Sequence, residues 1–467
     1  MRVVSVLVAL VALYVPYLYV QQDPDLAAQL DLPARLTQLA LLASALWLLW
    51  FTTRNKYRIF FLVACIGACA CVPLVLKQPG VAEKVIRGVV TQAQLPPSIF
   101  DHFQALDDTV WWDILTKGNL GVAEAYMHGK AKVEPLPFFI KLLNGTAIGT
   151  RRKQGVDALS LFADLVAAPL GMVANVVNQQ SQALSRRVTE QHYDAGNDLY
   201  EVMLGPAMSY TCAYWKDAKN LQEAQVAKFD LVYRKLELPQ SKKMKIADIG
   251  CGWGTLAAYV HDKAGGAADV TGVSLSKEQV KWATANLGKP GLQFLWKDYR
   301  DHCRDPANHG TYDRVYSIGL MEHIGFKNHA LFFRCIKQLL KPDGLALVHT
   351  IGEPDFVPAS DPFLEKYIFP GAVIPTLSSL TAAFENMFIL EDFQNFGHDY
   401  APTLAAWAVN SEKFFKEHPG MYTPEFQRMW IYYLKMCEAL FELRINQLWH
   451  FVLSPRPAVR ERIDRQL

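Results

Sequence analysis

The sequence predicts an α/β fold: a mostly parallel sheet with helices on both faces, preceded by a small helical domain and apolar segments. Three observations predict this arrangement. From Lys245 onward, strand-like and helix-like stretches alternate, which is typical of a parallel sheet. A glycine-rich turn follows the first strand-like stretch. Three apolar stretches precede residue 80, and 467 residues are enough for two or three domains.

The first element is the apolar region of residues 1–80. Its segments 3–20, 36–51 and 59–76 have 16 to 18 residues each and contain no charge, which is at the lower limit for crossing a bilayer. We therefore expect a membrane-anchoring region of two or three transmembrane helices. A cleaved signal peptide is the alternative for the first segment, and buried core helices are the alternative for all three.

The second element is a small, mostly helical domain at 96–180, which follows a linker at 78–95. Within it, residues 156–177 are strongly apolar, with Asp157 and Asp164 as their only charges. A packed helix pair and an amphipathic surface resting on lipid explain this stretch equally well.

The third element is the α/β domain at 181–467. We predict helices from Thr255, at 277–286 and at 329–340, the last closed by Lys341-Pro-Asp-Gly344. The predicted strands lie at 245–250, 270–274, 293–297, 314–318 and 345–351.

The glycine turn has the sequence Asp248-Ile-Gly-Cys-Gly-Trp-Gly254. Gly250, Gly252 and Gly254 let the backbone turn sharply and approach a ligand closely. The spacing is not Gly-x-Gly-x-x-Gly, and the next strand does not end in an acidic residue, which disfavours a nicotinamide dinucleotide. The pattern suits S-adenosylmethionine, which has no pyrophosphate to bind.

The overall composition excludes some classes of protein. A net charge of +2 gives no indication of a nucleic-acid partner. The eight cysteines show no metal-ligand spacing. We expect them to be reduced thiols of a protein that faces the cytosol, with no bound metal.

A series of motifs in order gives the chain a specific resemblance. The chain resembles the cyclopropane fatty acid synthases from about Gly118 to the C-terminus. The matching motifs are His192-Tyr-Asp-Ala-Gly-Asn-Asp198, Tyr210-Thr-Cys-Ala-Tyr-Trp215, Asp248–Gly254, Lys297-Asp-Tyr-Arg-Asp301, Met321-Glu-His-Ile-Gly325, His349-Thr-Ile-Gly352, Lys366-Tyr-Ile-Phe-Pro370, Asn395-Phe-Gly-His-Asp-Tyr400 and Phe426-Gln-Arg-Met-Trp430.

The resemblance implies a fold and a reaction. The fold is that of class I S-adenosylmethionine-dependent methyltransferases, with a Rossmann-like, mostly parallel seven-stranded sheet. The reaction transfers a methylene group from S-adenosylmethionine to the cis double bond of an unsaturated phospholipid acyl chain. It passes through a carbocation, and a bound bicarbonate ion removes the proton as the ring closes.

The resemblance also implies the site residues. The bicarbonate cage maps onto Cys212, Glu322, His349 and Tyr400, with a backbone contact near Ile351. The residues that bind S-adenosylmethionine are expected to be Tyr210, Thr211, Asp248, Gly250, Gly252, Gly254, Ser274, Gln279, Asp298 and Tyr299.

Several aromatic side chains have two interpretations each. Trp296 either stacks on adenine or belongs to the core. Tyr367, Phe369, Phe396 and Tyr432 either stabilise the carbocation through their π-faces or pack in the core.

Two other functions remain open. The first is a membrane-anchored sphingolipid or other lipid C-methyltransferase of the same superfamily; Cys212 disfavours it, since those branches generally lack the full cage, whereas the anchor favours it. The second is a lipid-binding scaffold without activity, although no glycine of the turn and no cage residue is missing.

The location follows from the charges that flank the apolar segments. Arg2 and the basic loop 54–58 indicate the cytoplasmic side, and the acidic loop 23–31 the far side. Three crossings would put the large domain outside, so we expect one segment to lie in the interface or to re-enter. We expect an integral membrane protein with a cytosolic catalytic domain, in a bacterial inner membrane or the endoplasmic reticulum. The resemblance allows a homodimer.

Overall fold

The computed structural model describes residues 80–92, 95–145, 197–238, 242–355 and 360–457. The three N-terminal apolar segments, the apolar stretch 156–177 and residues 192–196 of the first motif lie outside these ranges. Within the described ranges, no helix combines the length and the apolar composition that a membrane span requires.

The described residues belong to two compact units. The first contains residues 80–92, 95–96 and 107–118. Its helices are α1 (Val81–Gln92) and α2 (Thr109–Lys117). The linker predicted at 78–95 is wrong over most of its length, since an amphipathic helix with a Glu83–Arg87 ion pair occupies it.

The second unit contains the predicted α/β domain. Its strands are β1 (Phe103–Ala105), β2 (Ala131–Val133), β3 (Met244–Ile249), β4 (Ala268–Ser274), β5 (Leu292–Trp296), β6 (Tyr312–Ile318), β7 (Leu340–Gly352), β8 (Phe388–Asn395) and β9 (Gln447–Pro455). Its helices are α3 (Asn119–Met127), α4 (Pro135–Gly145), α5 (Asn197–Leu204), α6 (Leu221–Lys235), α7 (Thr255–Lys263), α8 (Lys277–Leu287), α9 (Tyr299–Arg304), α10 (Met321–Ile324), α11 (His329–Leu339), α12 (Pro362–Tyr367), α13 (Leu377–Phe384), α14 (Tyr400–Glu417) and α15 (Pro424–Glu442).

A seven-stranded sheet has the order β5-β4-β3-β6-β7-β9-β8. The strands β3 to β7 pair in parallel, and β9 pairs antiparallel with β7 and β8. The prediction of a mostly parallel sheet is therefore confirmed, and the antiparallel pairs of β9 make the sheet a mixed one. The strand order reverses between β3 and β6, and ligands of such sheets bind at the carboxyl ends of the strands that flank a reversal.

Alternation along the strands builds a core on each face of the sheet. In β3, Ala247 and Ile249 pack into one cluster with residues of α11, whereas Ile246 packs into the other with residues of α7. Successive side chains of a strand point to opposite faces. Both faces are covered by helices, and β3 is accordingly apolar along its length apart from Lys245 and Asp248.

The segment that contains α3 forms hydrogen bonds to the C-terminal helices of the same unit. Asn119 donates to Asp361 Oδ1 at 2.9 Å and accepts from the Tyr432 hydroxyl at 2.6 Å. Glu124 pairs with Lys366 at 2.7 Å. These polar contacts connect α3 to α12 and α15.

Among the five cysteines in the described ranges, one pair differs from the prediction. Cys303 and Cys335 form a disulfide, with Cα atoms 5.4 Å apart, so the expectation of reduced thiols is wrong for these two. The pairing escapes a sequence argument because 32 residues separate the two cysteines, which meet only where α9 packs on α11. Cys212, Cys251 and Cys437 are free.

Candidate active site

A cavity of about 290 Å³ opens at the carboxyl ends of β3, β4 and β6, where the strand order reverses. Its wall has two parts. The polar part consists of Asp248, Gly250, Gly252, Ser274, Ser276, Gln279, Lys297, Tyr299 and Arg300. The apolar part consists mainly of Leu364, Phe369, Ala372, Ile374, Leu404, Tyr433, Cys437 and Phe441.

The glycine turn forms the floor of the polar part. Gly250, Gly252 and Gly254 have φ values of +87°, +56° and +78°, which L-residues with a Cβ rarely adopt. A Cβ on Gly254 would overlap the ring of Phe294. Gly254 therefore acts behind the wall: it lets the turn pack on β5 and begin α7.

Hydrogen bonds fix the polar side chains after β4. Ser276 caps α8 by accepting from the Gln279 amide at 3.3 Å, and Ser274 Oγ lies 3.2 Å from Gln279 Oε1. Both Ser274 and Gln279, which the resemblance implies as cofactor-binding residues, line the cavity. They present polar atoms about one strand away from the glycine turn.

The end of β5 differs in part from the expectation. Tyr299 lines the cavity, and its buried hydroxyl has no hydrogen-bond partner among the described residues. Asp298 lies behind the wall, where it pairs with Arg300 at 2.7 Å, and Arg300 itself lines the cavity. Trp296 is 59 % exposed and is not part of the wall.

The predicted cage residues take two kinds of position. Glu322 and Tyr400 line the cavity, whereas the side chains of Cys212 and His349 are buried just behind it. Burial raises the pKa of the Tyr400 hydroxyl well above its usual value, and the nearby charges of Cys212 and Glu322 add to this shift. Cys212 and Glu322 are therefore both near enough to influence the titration of Tyr400.

Glu322 is the most unusual group of the wall. Its Oε1 accepts a hydrogen bond from the Ile351 amide at 2.5 Å, while its buried Oε2 has no partner among the described residues. Burial raises its pKa to about 7. The Ile351 amide, expected near the anion, is thus already bonded to Glu322.

Cys212 and His349 are both neutral groups. Burial raises the pKa of the Cys212 thiol well above its usual value, and Sγ donates to the Ala213 carbonyl at 3.2 Å. Burial lowers the pKa of His349 well below its usual value. His349 Nδ1 lies 2.8 Å from His450 Nε2, and the His349 carbonyl accepts from the amide of Gly319 in the cavity wall.

The loop that precedes α6 completes the polar part. Tyr210 and Thr211 line the cavity, as predicted, and the Tyr210 hydroxyl lies 2.7 Å from that of Tyr433. Lys228 of α6 also lines the cavity, and sequence reasoning missed it. A lysine in an amphipathic helix is ordinarily exposed, so only its position on the apolar side of α6 gives a signal.

The aromatic candidates differ in whether they line the cavity. Phe369 lines the cavity, but Tyr367, Phe396 and Tyr432 do not. Phe396 packs against His349 and His450, with its ring 4.7 Å from that of His450. The neighbour of Tyr432, Tyr433, is the residue that faces the cavity.

Comparison with known proteins gives concordant similarities. A family model described as mycolic acid cyclopropane synthetase matches residues 180–451. The chain is 37% identical to the cyclopropane-fatty-acyl-phospholipid synthase of Escherichia coli K12, over 73% of this chain and 84% of that protein.

Solved structures agree with these matches. The cyclopropane synthase MmaA2 from Mycobacterium tuberculosis is similar with a TM-score of 0.52 and 29% identity, covering 58% of this chain and 98% of that one. The mycolic acid cyclopropane synthase CmaA1, complexed with SAH and CTAB, gives a TM-score of 0.51 and 27% identity, covering 57% and 97%.

Proposed function

Because this chain belongs to the mycolic acid cyclopropane synthetase family, we propose how its cavity divides between S-adenosylmethionine and an acyl chain. The chain has the class I methyltransferase fold. It is a cyclopropane-fatty-acyl-phospholipid synthase, which transfers a methylene group from S-adenosylmethionine to unsaturated acyl chains. S-adenosylmethionine binds at the glycine turn, and the acyl chain binds along the apolar part of the wall.

One observation carries this division of the cavity. One cavity is lined by the glycine turn, by Glu322 and Tyr400, and by a set of apolar side chains. An alkene is a weak nucleophile, so it must be held close to the reactive methyl group in a site without water. The apolar lining excludes water and orients the acyl chain.

Bicarbonate fits the groups around Glu322. When bound, S-adenosylmethionine supplies the added carbon, and bicarbonate supplies a base for the proton that ring closure releases. A buried anion needs several donors and a satisfied hydroxyl. We propose that the Tyr400 hydroxyl and the His349 ring donate to the ion and that Oε2 of Glu322, which has no partner among the described residues, accepts from its hydroxyl. Cys212 interacts electrostatically with Tyr400.

His450 determines which nitrogen of His349 carries the proton. His450 Nδ1 is buried without a partner among the described residues. A buried N–H without an acceptor is rarer in proteins than an unfilled acceptor, so we assign the proton of His450 to Nε2, which donates to His349 Nδ1. Neutral His349 then carries its own proton on Nε2, as a donor to the anion.

The membrane region and the partners extend this proposal. We propose that segments 3–20, 36–51 and 59–76 anchor the chain, and that the catalytic domain faces the cytosol, where S-adenosylmethionine is present. Reporter fusions after residues 28, 55 and 90 test this; an external residue 90 would contradict it.

We also propose a homodimer, which mass photometry of the detergent-solubilised chain tests.

The reaction is tested with the full chain, vesicles of unsaturated phospholipid and labelled S-adenosylmethionine. We expect an acyl chain that has gained one CH₂ and lost its alkene. A product on a sphingoid base would instead identify the lipid C-methyltransferase, and no transfer would identify an inactive scaffold.

Bicarbonate is tested separately. Removing dissolved carbon dioxide should slow turnover, and added bicarbonate should restore it. Turnover that is insensitive to both treatments would rule out bicarbonate as the base while leaving the reaction itself intact.

A further inference from the structure

Lys228 places a buried amino group in the cavity wall. The side chain is fully buried in α6, and Nζ donates to Ser209 Oγ at 2.6 Å and to Thr211 Oγ1 at 2.8 Å. Both partners are neutral hydroxyls that also line the cavity. Among the described residues, no carboxylate forms an ion pair with Lys228.

The helix α6 also holds the loop that contains these hydroxyls. Gln225, one turn before Lys228, donates from Nε2 to the Ser209 carbonyl at 3.3 Å and to the Thr211 carbonyl at 2.9 Å. The loop is thus fixed by two side chains of one helix face. Such an arrangement preorganises the loop and Lys228 Nζ for a ligand.

The titratable groups around Lys228 include one buried acid. Burial lowers the pKa of Lys228 to about 7, and burial raises the pKa of Asp248 to about 7. The other titratable neighbours whose charges interact with Lys228 are Cys212, His349 and His450. Burial favours the neutral forms of these three. Asp248 and Lys228 interact with each other electrostatically, but no ion pair joins them among the described residues, so the wall contains one acid and one amine that a ligand can pair.

A buried charge is unfavourable unless a counter-charge satisfies it. We propose that Lys228 binds the carboxylate of the amino-acid end of S-adenosylmethionine. This inference rests on the proposed placement of the cofactor in this cavity. The wall offers a cation at Lys228 and an acid at Asp248, which matches the opposite charges of an α-amino acid zwitterion.

The position of the hydroxyl partners favours this carboxylate. Ser209 and Thr211 flank Tyr210, and they share the polar wall with Asp248 and the glycine turn. A carboxylate that accepts from Nζ would also accept from these hydroxyls. Bicarbonate has similar oxygen geometry, and the experiment therefore distinguishes the two anions.

The experiment compares two ligands in the full chain and in Lys228→Met. S-adenosylhomocysteine contains the amino-acid end, whereas 5′-methylthioadenosine lacks it; their dissociation constants are measured by calorimetry. We expect the substitution to weaken S-adenosylhomocysteine roughly 10- to 100-fold, the range for a hydrogen bond to a charged group. The affinity for methylthioadenosine should change less than about twofold.

Lys235→Met is the matched control. Lys235 lies on the same helix, is also buried, and pairs with Asp392 at 2.6 Å rather than facing the cavity. Lys235→Met should leave the affinities for S-adenosylhomocysteine and methylthioadenosine unchanged. Should Lys228→Met not fold, Lys228→Gln gives the same readout, because glutamine retains a donor for the two hydroxyls.

An equal loss for both ligands, or no loss for either, overturns the proposal. A changed bicarbonate concentration for half-maximal activity, with the ratio of the two ligand affinities unaltered, also overturns it and assigns the amino group to bicarbonate. If the unsubstituted chain binds neither nucleoside, the proposed function fails instead.

Discussion

The two ends of the cavity are built in different ways. The polar end is formed by short loops at the carboxyl ends of β3, β4 and β5, so its residues lie close to the motifs that indicate them. The apolar end is formed by helices α12, α14 and α15 and by the loop that follows α12, whose contributions are far apart in sequence. Backbone geometry therefore determines the polar end, whereas packing between distant elements determines the apolar end. Glu322 lies between the two.

The comparison is tested most strongly at Glu322. Glu322→Gln should lower turnover by about two to four orders of magnitude, as expected for a positioned proton-transfer group. The affinity for S-adenosylhomocysteine should change little, because the glycine turn and the polar wall remain intact. Calorimetry and product analysis measure the two quantities. A parallel loss of both would mean that Glu322 belongs to the cofactor end.

Gly254→Ala should lower stability and cofactor affinity without changing the chemical step. The left-handed φ costs about 1–2 kcal/mol with a Cβ, and the overlap with Phe294 adds about 1–3 kcal/mol. We expect a lower free energy of unfolding and weaker binding of S-adenosylhomocysteine. Turnover at saturating cofactor should stay near normal. Gly310→Ala is the control, since its φ is also positive at +61°, a Cβ there meets open space, and it does not line the cavity; an equal loss of stability would mean that backbone strain alone is responsible.

The pH dependence of stability isolates the burial of Glu322. Its folded pKa of about 7 lies above the usual 4.5, so its contribution to stability is present below about pH 4.5 and is lost as pH rises through about 7. The total is about 3 kcal/mol on the usual conversion. The free energy of unfolding of Glu322→Gln, relative to that of the unsubstituted chain, should therefore increase as the pH rises from 5 to 8. Urea unfolding at both pH values measures this, and a constant difference would contradict it.

His450→Phe should lower turnover less than Glu322→Gln does. Without the His450 donor, the proton of His349 is no longer confined to Nε2, and we expect about a tenfold fall in turnover. The bicarbonate concentration for half-maximal activity should rise. ¹⁵N chemical shifts of the His349 ring report the tautomer directly. An unchanged tautomer in the variant would contradict the assignment.

Trp296→Ala should have the smallest effect. Its side chain is largely exposed outside the wall and donates to the Leu275 carbonyl at 2.9 Å. We expect the KM for S-adenosylmethionine to change less than about twofold, which is below the usual value of a base stacked on an aromatic ring. Tyr299→Ala is the comparison, and a larger effect at Trp296 than at Tyr299 would place adenine against Trp296.

The sequence predicted the polar end well because local signals suffice there. The strands β3 to β6 lie within two residues of their predicted bounds, and Ser274, Gln279 and Tyr299 all reach the wall. β7 begins five residues early, because Lys341–Gly344 extend the strand rather than close α11. β8 was missed, since its exposed side breaks the apolar alternation. β9 was also missed, although it is buried almost throughout.

The remaining differences concern side-chain directions. Tyr432 and Tyr433 are adjacent in α15, and only the folded helix shows which one faces the cavity. Lys228 and His450 carry no motif, and their roles depend on burial and on partners from other elements. A sequence pattern gives neither.

The hydrogen bond between Tyr210 and Tyr433 spans the two ends of the cavity. If the two substrates bind as we propose, an acyl chain that displaces the Tyr433 phenol also disturbs the loop that contains Tyr210, and a nucleoside that displaces Tyr210 disturbs Tyr433. Thermodynamic reciprocity then requires that each substrate change the binding affinity of the other by the same factor. A single pair of phenols would thus couple occupancy of the acyl-chain site to occupancy of the cofactor site.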